Sequence, residues 1–183
     1  MRKTILVLFG GCSSEHSVSL QSAQAVLEHL DRSKYQPLTV GITREGQWLC
    51  YRGPASAIGD GSWAQNRAVV TPCALAPDRD RHQLLLLGER VSRVSFDAAF
   101  PVLHGKNGED GTVQGLLELA DVPIIGCGAL SSALCMDKRR AHQLAALAGV
   151  DVPRGTAFGR GAAQEELEAA AQELGFPLFV KPV

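Results

Sequence analysis

These 183 residues contain no Cys-x-x-Cys pair, no long block of like charges, no internal repeat and no apolar run long enough to cross a bilayer. Each absence removes a class of protein. The five cysteines, Cys12, Cys50, Cys73, Cys127 and Cys135, are scattered and odd in number. No histidine cluster accompanies them, which speaks against a zinc site and against a disulfide framework. Reduced thiols in a cytoplasmic protein are the expectation. Eighteen basic against nineteen acidic residues leave a net charge of −1, so neither nucleic acid nor a membrane is an expected partner. The N-terminus MRKTILVLFGG begins like a secretion signal, but its apolar run stops after six residues at Gly10, short of the roughly 7–15 that a signal requires. G-x-G-x-x-G is missing after the first apolar run and G-x-x-x-x-G-K-[ST] is missing throughout. A dinucleotide-binding Rossmann protein and a P-loop enzyme are therefore disfavoured.

What is present is ordinary for a globular chain: 45% apolar and 20% charged residues, and length for one good-sized domain or for one domain and part of another. Thr4–Phe9 is a continuous aliphatic and β-branched run, the pattern of a strand covered on both faces. A glycine turn follows, and Leu20, Ala23, Leu27 and Leu30 recur at spacings that make one helix face. Tyr35–Ile42 reads as a second strand, Gln47–Tyr51 as a short third, Leu84–Leu87 and Ala98–Leu103 as two more, and Val122–Ile125 as a strand ended by Gly126. Residues 52–82 lack periodicity and predict surface loop with one short helix. Val113, Leu116, Leu117 and Ala120 fall at helical spacing. From Asp137 onward helices dominate: Ala141, Leu144, Ala145 and Ala148 share a face with Gly149 as C-cap, a second helix covers 163–174, and Pro177–Val180 reads as a strand. Strand alternating with helix predicts an α/β fold with a doubly wound parallel sheet, whose ligands gather beyond the carboxyl ends of the strands. A domain boundary is placed between 136 and 137.

Two glycine-rich segments follow strands and precede helices, GGCSSEHSVS and HGKNGEDGT. Glycines let backbone N–H groups approach a ligand, and the helix N-terminus that follows favours a carboxylate or phosphate. Glu15 admits two readings: a first-turn glutamate complementing the helix dipole, or a carboxylate aimed into the sheet crevice to hold an ammonium. The second reading, combined with the helix N-terminus, makes a zwitterion site suited to a free amino acid. His104 and Gly105 end another strand at the same sheet edge, with structural and site roles both open for the histidine. Glu109 and Asp110 read as capping the helix from Thr112. Cys12 lies in the first loop with no base beside it, which argues against a nucleophile. Lys138 and Lys181 flank the second helical segment, and a lysine at the end of the apolar FPLFVK run suits a phosphate contact.

Together, FGGCSSEHSVSLQSA, FPVLHGKNGEDGTVQGLLELADVPIIGCGALSSALCMDK and FPLFVKP resemble the D-alanine–D-alanine ligase family of the ATP-grasp superfamily. The likeness extends over that family's N-terminal domain and the start of its central domain; residues 52–93 carry no recognisable motif. GITREGQW and GALSSALCMDKRRAH look like the branch that contains vancomycin-resistance D-alanyl-D-serine ligases.

The resemblance implies a pre-ATP-grasp, Rossmann-like N-terminal domain (1–136) with the first amino-acid subsite, and the start of an ATP-grasp central domain (137–183). It implies ATP-dependent joining of D-alanine to a second D-amino acid for peptidoglycan precursors, with ATP and Mg²⁺ or Mn²⁺ as cofactors and a homodimer in the cytoplasm. By motif, Glu15 would hold the ammonium of the first D-alanine as the substrate-binding and catalytic carboxylate. Val18 would pack near its methyl, His104 and Gly105 would lie beside the reacting carboxylate, and Lys138 and Lys181 would bind ATP phosphates. The family's glycine- and serine-rich phosphate loop, its metal-binding carboxylates and its substrate-binding arginine are not found within residues 1–183. The chain by itself is therefore expected not to catalyse ligation. Two alternatives stand beside this: a D-Ala–D-Ser or D-lactate ligase, and a non-catalytic module that binds an amino acid. Another ATP-grasp enzyme is disfavoured, because EHSVS and HGKNGEDG match this ligase together.

Overall fold

A computed structural model of the chain describes residues 1–181. The chain divides into two compact units, Met1–Ala133 and Leu134–Val183. The first is built on β1 (Lys3–Gly10), α1 (His16–His29), β2 (Tyr35–Ile42), β3 (Trp48–Tyr51), α2 (Ala55–Gly59), β4 (Val70–Leu75), β5 (Gln83–Leu87), β6 (Val91–Ser95), β7 (Ala98–Leu103) and α3 (Thr112–Leu119). Its seven strands form one sheet in the order β6-β5-β4-β3-β2-β1-β7.

The α/β class holds, but the sheet is mixed rather than parallel throughout. β2, β1 and β7 run parallel, whereas β3 through β6 are antiparallel to their neighbours. The reason is local. The β2–β3 connection is a tight turn in which the Thr43 N–H donates to the Gln47 carbonyl at 2.9 Å. A parallel pair needs a crossover of a dozen or more residues, and this link is far too short for one.

Both faces of β1 are buried, as its unbroken aliphatic run predicts. Leu6 and Leu8 join the core under α3, with Leu103, Val113 and Leu117. Ile5, Val7 and Phe9 join the core under α1 and α2, with Leu20, Ala23, Leu27 and Trp63. Helices thus cover opposite faces of the parallel strands, with side chains alternating between them.

Several expectations are corrected. Residues 52–82 are not merely surface loop, because β4 lies there and Ile58 and Trp63 are core residues. Pro72 and the lack of alternation hide β4 locally; pairing with β3 and β5 makes it a strand. Trp63 stands edge-on to Phe9 with centroids 4.9 Å apart. β6 follows the charged turn and is visible only through its pairing with β5. The Val122–Ile125 strand reduces to an isolated parallel bridge, Ala99 to Ile124. There Pro123 accepts from the Ala99 N–H but has no N–H of its own to extend a ladder.

The second unit carries the last turn of α4 (Ala129–Met136), then α5 (Lys138–Leu147) and α6 (Gln164–Leu174). Asp137 caps α5 by accepting from the Arg140 N–H at 3.0 Å, and Gly149 follows its end at φ 80°, as expected of a C-cap glycine. The expected apolar face of α5 is not buried, nor is any residue of α6. Pro177–Val180 is not a strand. Phe179 and Val180 are 91% and 95% exposed, and among the described residues no strand pairs with this segment, so its backbone groups have no ladder to join. The close of the VKPV run, residues 182 and 183, lies outside the described residues.

Candidate amino-acid site

The carboxyl ends of β1 and β7 are in register, Gly10 opposite Leu103, so the two glycine-rich loops leave the sheet side by side. Gly10 has φ 88°, and a side chain there would run into the Ile42 carbonyl of β2. Only glycine fits that turn. The Gly11 N–H then donates to the Ile42 carbonyl at 2.8 Å, which folds the loop back over the sheet edge.

Two hydroxyls and a histidine fix the first loop. Ser19, fully buried in α1, accepts from the Gly10 N–H at 2.8 Å and donates to the Val102 carbonyl of β7. The buried His16 contacts the Gly11 carbonyl through Nδ1 at 2.7 Å, and because a carbonyl only accepts, Nδ1 carries the proton. Ser13 donates to the His104 carbonyl at 2.7 Å and accepts from the Glu15 N–H at 3.1 Å. Ser22, farther along α1, lies 3.0 Å from His104 Nε2.

Glu15 is the N-cap of α1, but its carboxylate caps no helix N–H. It reaches across to the second loop instead. A methyl placed on Gly105 would come 2.5 Å from Glu15 Oε2 and 3.3 Å from Ser13 Oγ. Gly105 itself has φ 70° and leaves the gap that the carboxylate fills. Val18, on the outward side of α1, is 49% exposed. His104 is partly exposed, with Nδ1 3.9 Å from Glu109 Oε1.

Glu109 does not cap α3, contrary to the sequence reading. Its Oε2 accepts from the Gly105 N–H at 2.7 Å, so it closes the loop. Asp110 does assist the helix start, accepting from the Thr112 N–H at 3.1 Å and from the Asn107 N–H at 2.8 Å. Burial works against its charge, yet the bonds from Asn107 and Thr112 outweigh it and hold the carboxyl below the usual aspartate range. Cys12 is exposed, its Sγ 3.9 Å from the Thr43 carbonyl, and no acid–base partner is placed on it.

Glu15, His104 and Gly105 are thus brought together, with Val18 on the same helix. Lys138 and Lys181 belong to the second unit. Both are exposed; Lys138 opens α5 and Lys181 Nζ lies 5.9 Å from the Phe179 ring centroid. A concavity of about 490 Å³ in that unit is lined by Asp137, Arg139, Arg140 and Phe158 among others, and Lys138 is not one of its walls. Sequence reasoning missed Ser13, His16, Ser19 and Ser22. For Ser19 the signal was a small polar residue set among the apolar positions of the buried helix face; for Ser22 it was the spacing Glu15, Val18, Ser22, which is one stripe of a helix.

The family described as D-ala D-ala ligase N-terminus matches residues 4–127. The chain belongs to that family. It is 42% identical to a D-alanine–D-alanine ligase of Caldicellulosiruptor bescii over 97% of this chain and 49% of the relative. It is 41% identical to the vancomycin B-type resistance protein VanB of Enterococcus faecalis, over 97% of this chain and 48% of that one. Among solved structures, the VanG D-Ala:D-Ser ligase of Enterococcus faecalis superposes with a TM-score of 0.79 at 45% identity, covering 95% of this chain and 49% of that one. The chain spans about half the length of the curated relatives it matches. As a member of this ligase family, its first unit carries the family's N-terminal fold with both glycine-rich loops.

Proposed function

We propose that residues 1–136 form the first amino-acid subsite of a D-alanine–D-alanine ligase, and that residues 137–183 open its ATP-grasp domain. The observation that carries this reading is the meeting of the Glu15 carboxylate with Gly105, beside His104, at the ends of two parallel strands. Glu15 holds the ammonium of D-alanine. The N-terminus of α1 favours the substrate carboxylate, Val18 bounds the methyl, and His104 stands beside the reacting oxygen.

In the whole ligase, the D-alanine carboxylate takes the γ-phosphoryl group of ATP and ADP leaves. The amine of the second D-amino acid attacks the acyl carbon, phosphate departs with the C–O bond, and a proton is lost from the new amide nitrogen. Lys138 and Lys181 are our candidates for phosphate contacts with ATP. Among the described residues no three His, Cys, Asp or Glu side chains gather, and no step is assigned to Mg²⁺ or Mn²⁺ here. A D-Ala–D-Ser ligase is the second reading, favoured by the 45% identity to VanG. A homodimer suits the exposed Leu116 and Leu119 on α3. A cytoplasmic location suits an ATP-using enzyme, and no helix among the described residues is long and apolar enough to cross a membrane.

The test is calorimetric titration of the chain with D-alanine. Binding is expected, with a loss of at least about tenfold in Glu15→Gln, because a charge-assisted contact contributes roughly 1.5–3 kcal/mol. Equal affinity for L-alanine, or an unchanged Glu15→Gln, would refute the subsite. D-alanine-dependent ADP release by these 183 residues is expected to be nil, and turnover would overturn that part.

A further inference from the structure

Glu15, at the N-cap, and Val18 and Ser22, in α1, stand at i, i+3 and i+7, one helical stripe whose first and last members meet the second loop. The first two are assigned to the amino acid, and Ser22 lies next along the same stripe. Its Oγ is 3.0 Å from His104 Nε2, and this is its one hydrogen bond among the described residues. On the opposite side of the ring, Nδ1 faces Glu109 Oε1 at 3.9 Å. Glu109 is itself held, since its other oxygen accepts from the Gly105 N–H at 2.7 Å. The backbone is held as well, by Ser13 donating to the His104 carbonyl. His104 is thus hydrogen-bonded at its carbonyl and at Nε2, while Nδ1 faces a carboxylate beyond direct hydrogen-bond reach.

We propose that Ser22 is a positioning residue that fixes the His104 ring against the amino-acid subsite in the Nδ1–H tautomer; the catalytic purpose of this rests on the ligase reading above. The argument is one of donors and acceptors. At 3.9 Å the Glu109 carboxylate accepts no direct hydrogen bond, but its negative charge favours the proton on Nδ1, the nitrogen facing it, when the ring is neutral. Nε2 is then a lone pair, and the Ser22 hydroxyl must donate to it. A free imidazole prefers its proton on Nε2, so the arrangement inverts the default. Should the ring become doubly protonated, the Ser22 hydroxyl rotates and accepts from Nε2–H, so the same contact serves both states. A hydroxyl can make that exchange; a methyl, a carboxylate or an ammonium cannot.

The experiment is long-range ¹H–¹⁵N correlation on the labelled 183-residue chain without ligand, His104 being assigned by His104→Gln. With the ring neutral, a pyrrole-type Nδ1 and a pyridine-type Nε2 are expected. Ser22→Ala should move both nitrogens toward intermediate shifts, and Ser22→Thr, which keeps the hydroxyl, should restore them. Tryptophan-detected urea melts of the three proteins verify the fold. A pyrrole-type Nε2 in the unsubstituted chain, or Ser22→Ala shifts equal to those of Ser22→Thr, overturns the proposal. The same samples are then titrated with D-alanine, for which Ser22→Ala is expected to bind about fivefold more weakly. If the tautomer is as stated and D-alanine leaves every signal unmoved, the subsite reading fails while the geometry around His104 stands.

Discussion

Removing one hydroxyl from the first turn of α1 should cost the first unit more stability than most surface changes to the whole chain. Ser19 is fully buried and serves two backbone groups, accepting from the Gly10 N–H at 2.8 Å and donating to the Val102 carbonyl. Ser19→Ala keeps the helix former and removes only the oxygen. It leaves one donor and one acceptor without partners at the buried junction of β1 and β7. An unsatisfied buried polar group costs about 1–3 kcal/mol; with two such groups, and some relaxation, a loss of roughly 2–4 kcal/mol follows. For a chain of this length that corresponds to a fall in Tm of about 5–12 °C. The assay is urea unfolding followed by tryptophan fluorescence. Trp48 and Trp63 both lie in the first unit, so the signal reports that unit alone. The midpoint should fall with an unchanged slope, since the surface exposed on unfolding is the same. A loss below about 0.5 kcal/mol, the range of ordinary surface substitutions, would refute the claim that this oxygen joins the two strands.

Gly41→Ala should lower the same midpoint by at least about 1–3 kcal/mol, the usual range for overpacking, because a methyl at that point of β2 would enter the Trp63 ring; Trp63→Leu in the same chain should recover part of the loss, and no recovery would sink the steric account. Asp97 bonds to Lys3 at 2.9 Å and to the Thr4 N–H at 2.7 Å, which together hold its carboxyl below the ordinary aspartate value. A depressed carboxyl stabilises the fold above its unfolded pKa of about 3.9 and loses that contribution as pH falls through its lower native value. Urea midpoints should therefore drop below pH 4 less steeply in Asp97→Asn than in the unsubstituted chain, and identical slopes would refute it. Cys50 and Cys73 are buried in the core, which pushes both thiols up, that of Cys73 to about 12. An Ellman titration of the native chain at pH 8 should therefore show fast reaction at Cys12, Cys127 and Cys135 only, and five equally fast thiols would refute the packing of β3 and β4.

How far the fold can be read from the chain depends on where each element finds its reason. β1 is legible because it is buried on both faces and so carries an uninterrupted apolar run, whereas β2 is buried only over its last three residues, Gly41 and its neighbours Val40 and Ile42. α1 is legible because its buried stripe, Leu20, Ala23 and Leu27, has helical spacing. β4 and β6 are not, because Pro72 interrupts one and the other is a polar edge strand; both exist through their partners. Val122–Ile125 and Pro177–Val180 fail in the opposite sense. Each has the composition of a strand, yet one is limited by Pro123 and the other has no neighbour among the described residues. β-propensity describes a fit to a pleated surface, and that surface has to be supplied by other strands.

The candidate site follows the same logic at the scale of single side chains. Glu15, His104 and Gly105 were legible because each follows a strand end and a glycine-rich turn, positions that a parallel sheet brings to one edge. The residues that hold them were not, because their partners are 91, 83 and 82 positions away for Ser13, Ser19 and Ser22. All three are serines, and that choice has a physical consequence. A hydroxyl ties two backbone segments together without filling the space between them, whereas an apolar side chain would secure the same segments only by occupying the crevice. Two such backbone ties, from Ser13 in the β1–α1 loop and Ser19 in α1, together with Ser22 at the His104 ring and Glu15 beside Gly105, hold the two loops in one arrangement before any ligand arrives. Loops held in this way lose little conformational freedom when an ammonium meets Glu15, so more of the contact energy appears as affinity. Glu109 is held in turn by the Gly105 N–H, which closes the second loop beside His104. The rigid side of the site is therefore the one that carries Glu15, as the proposed subsite for a small zwitterion requires.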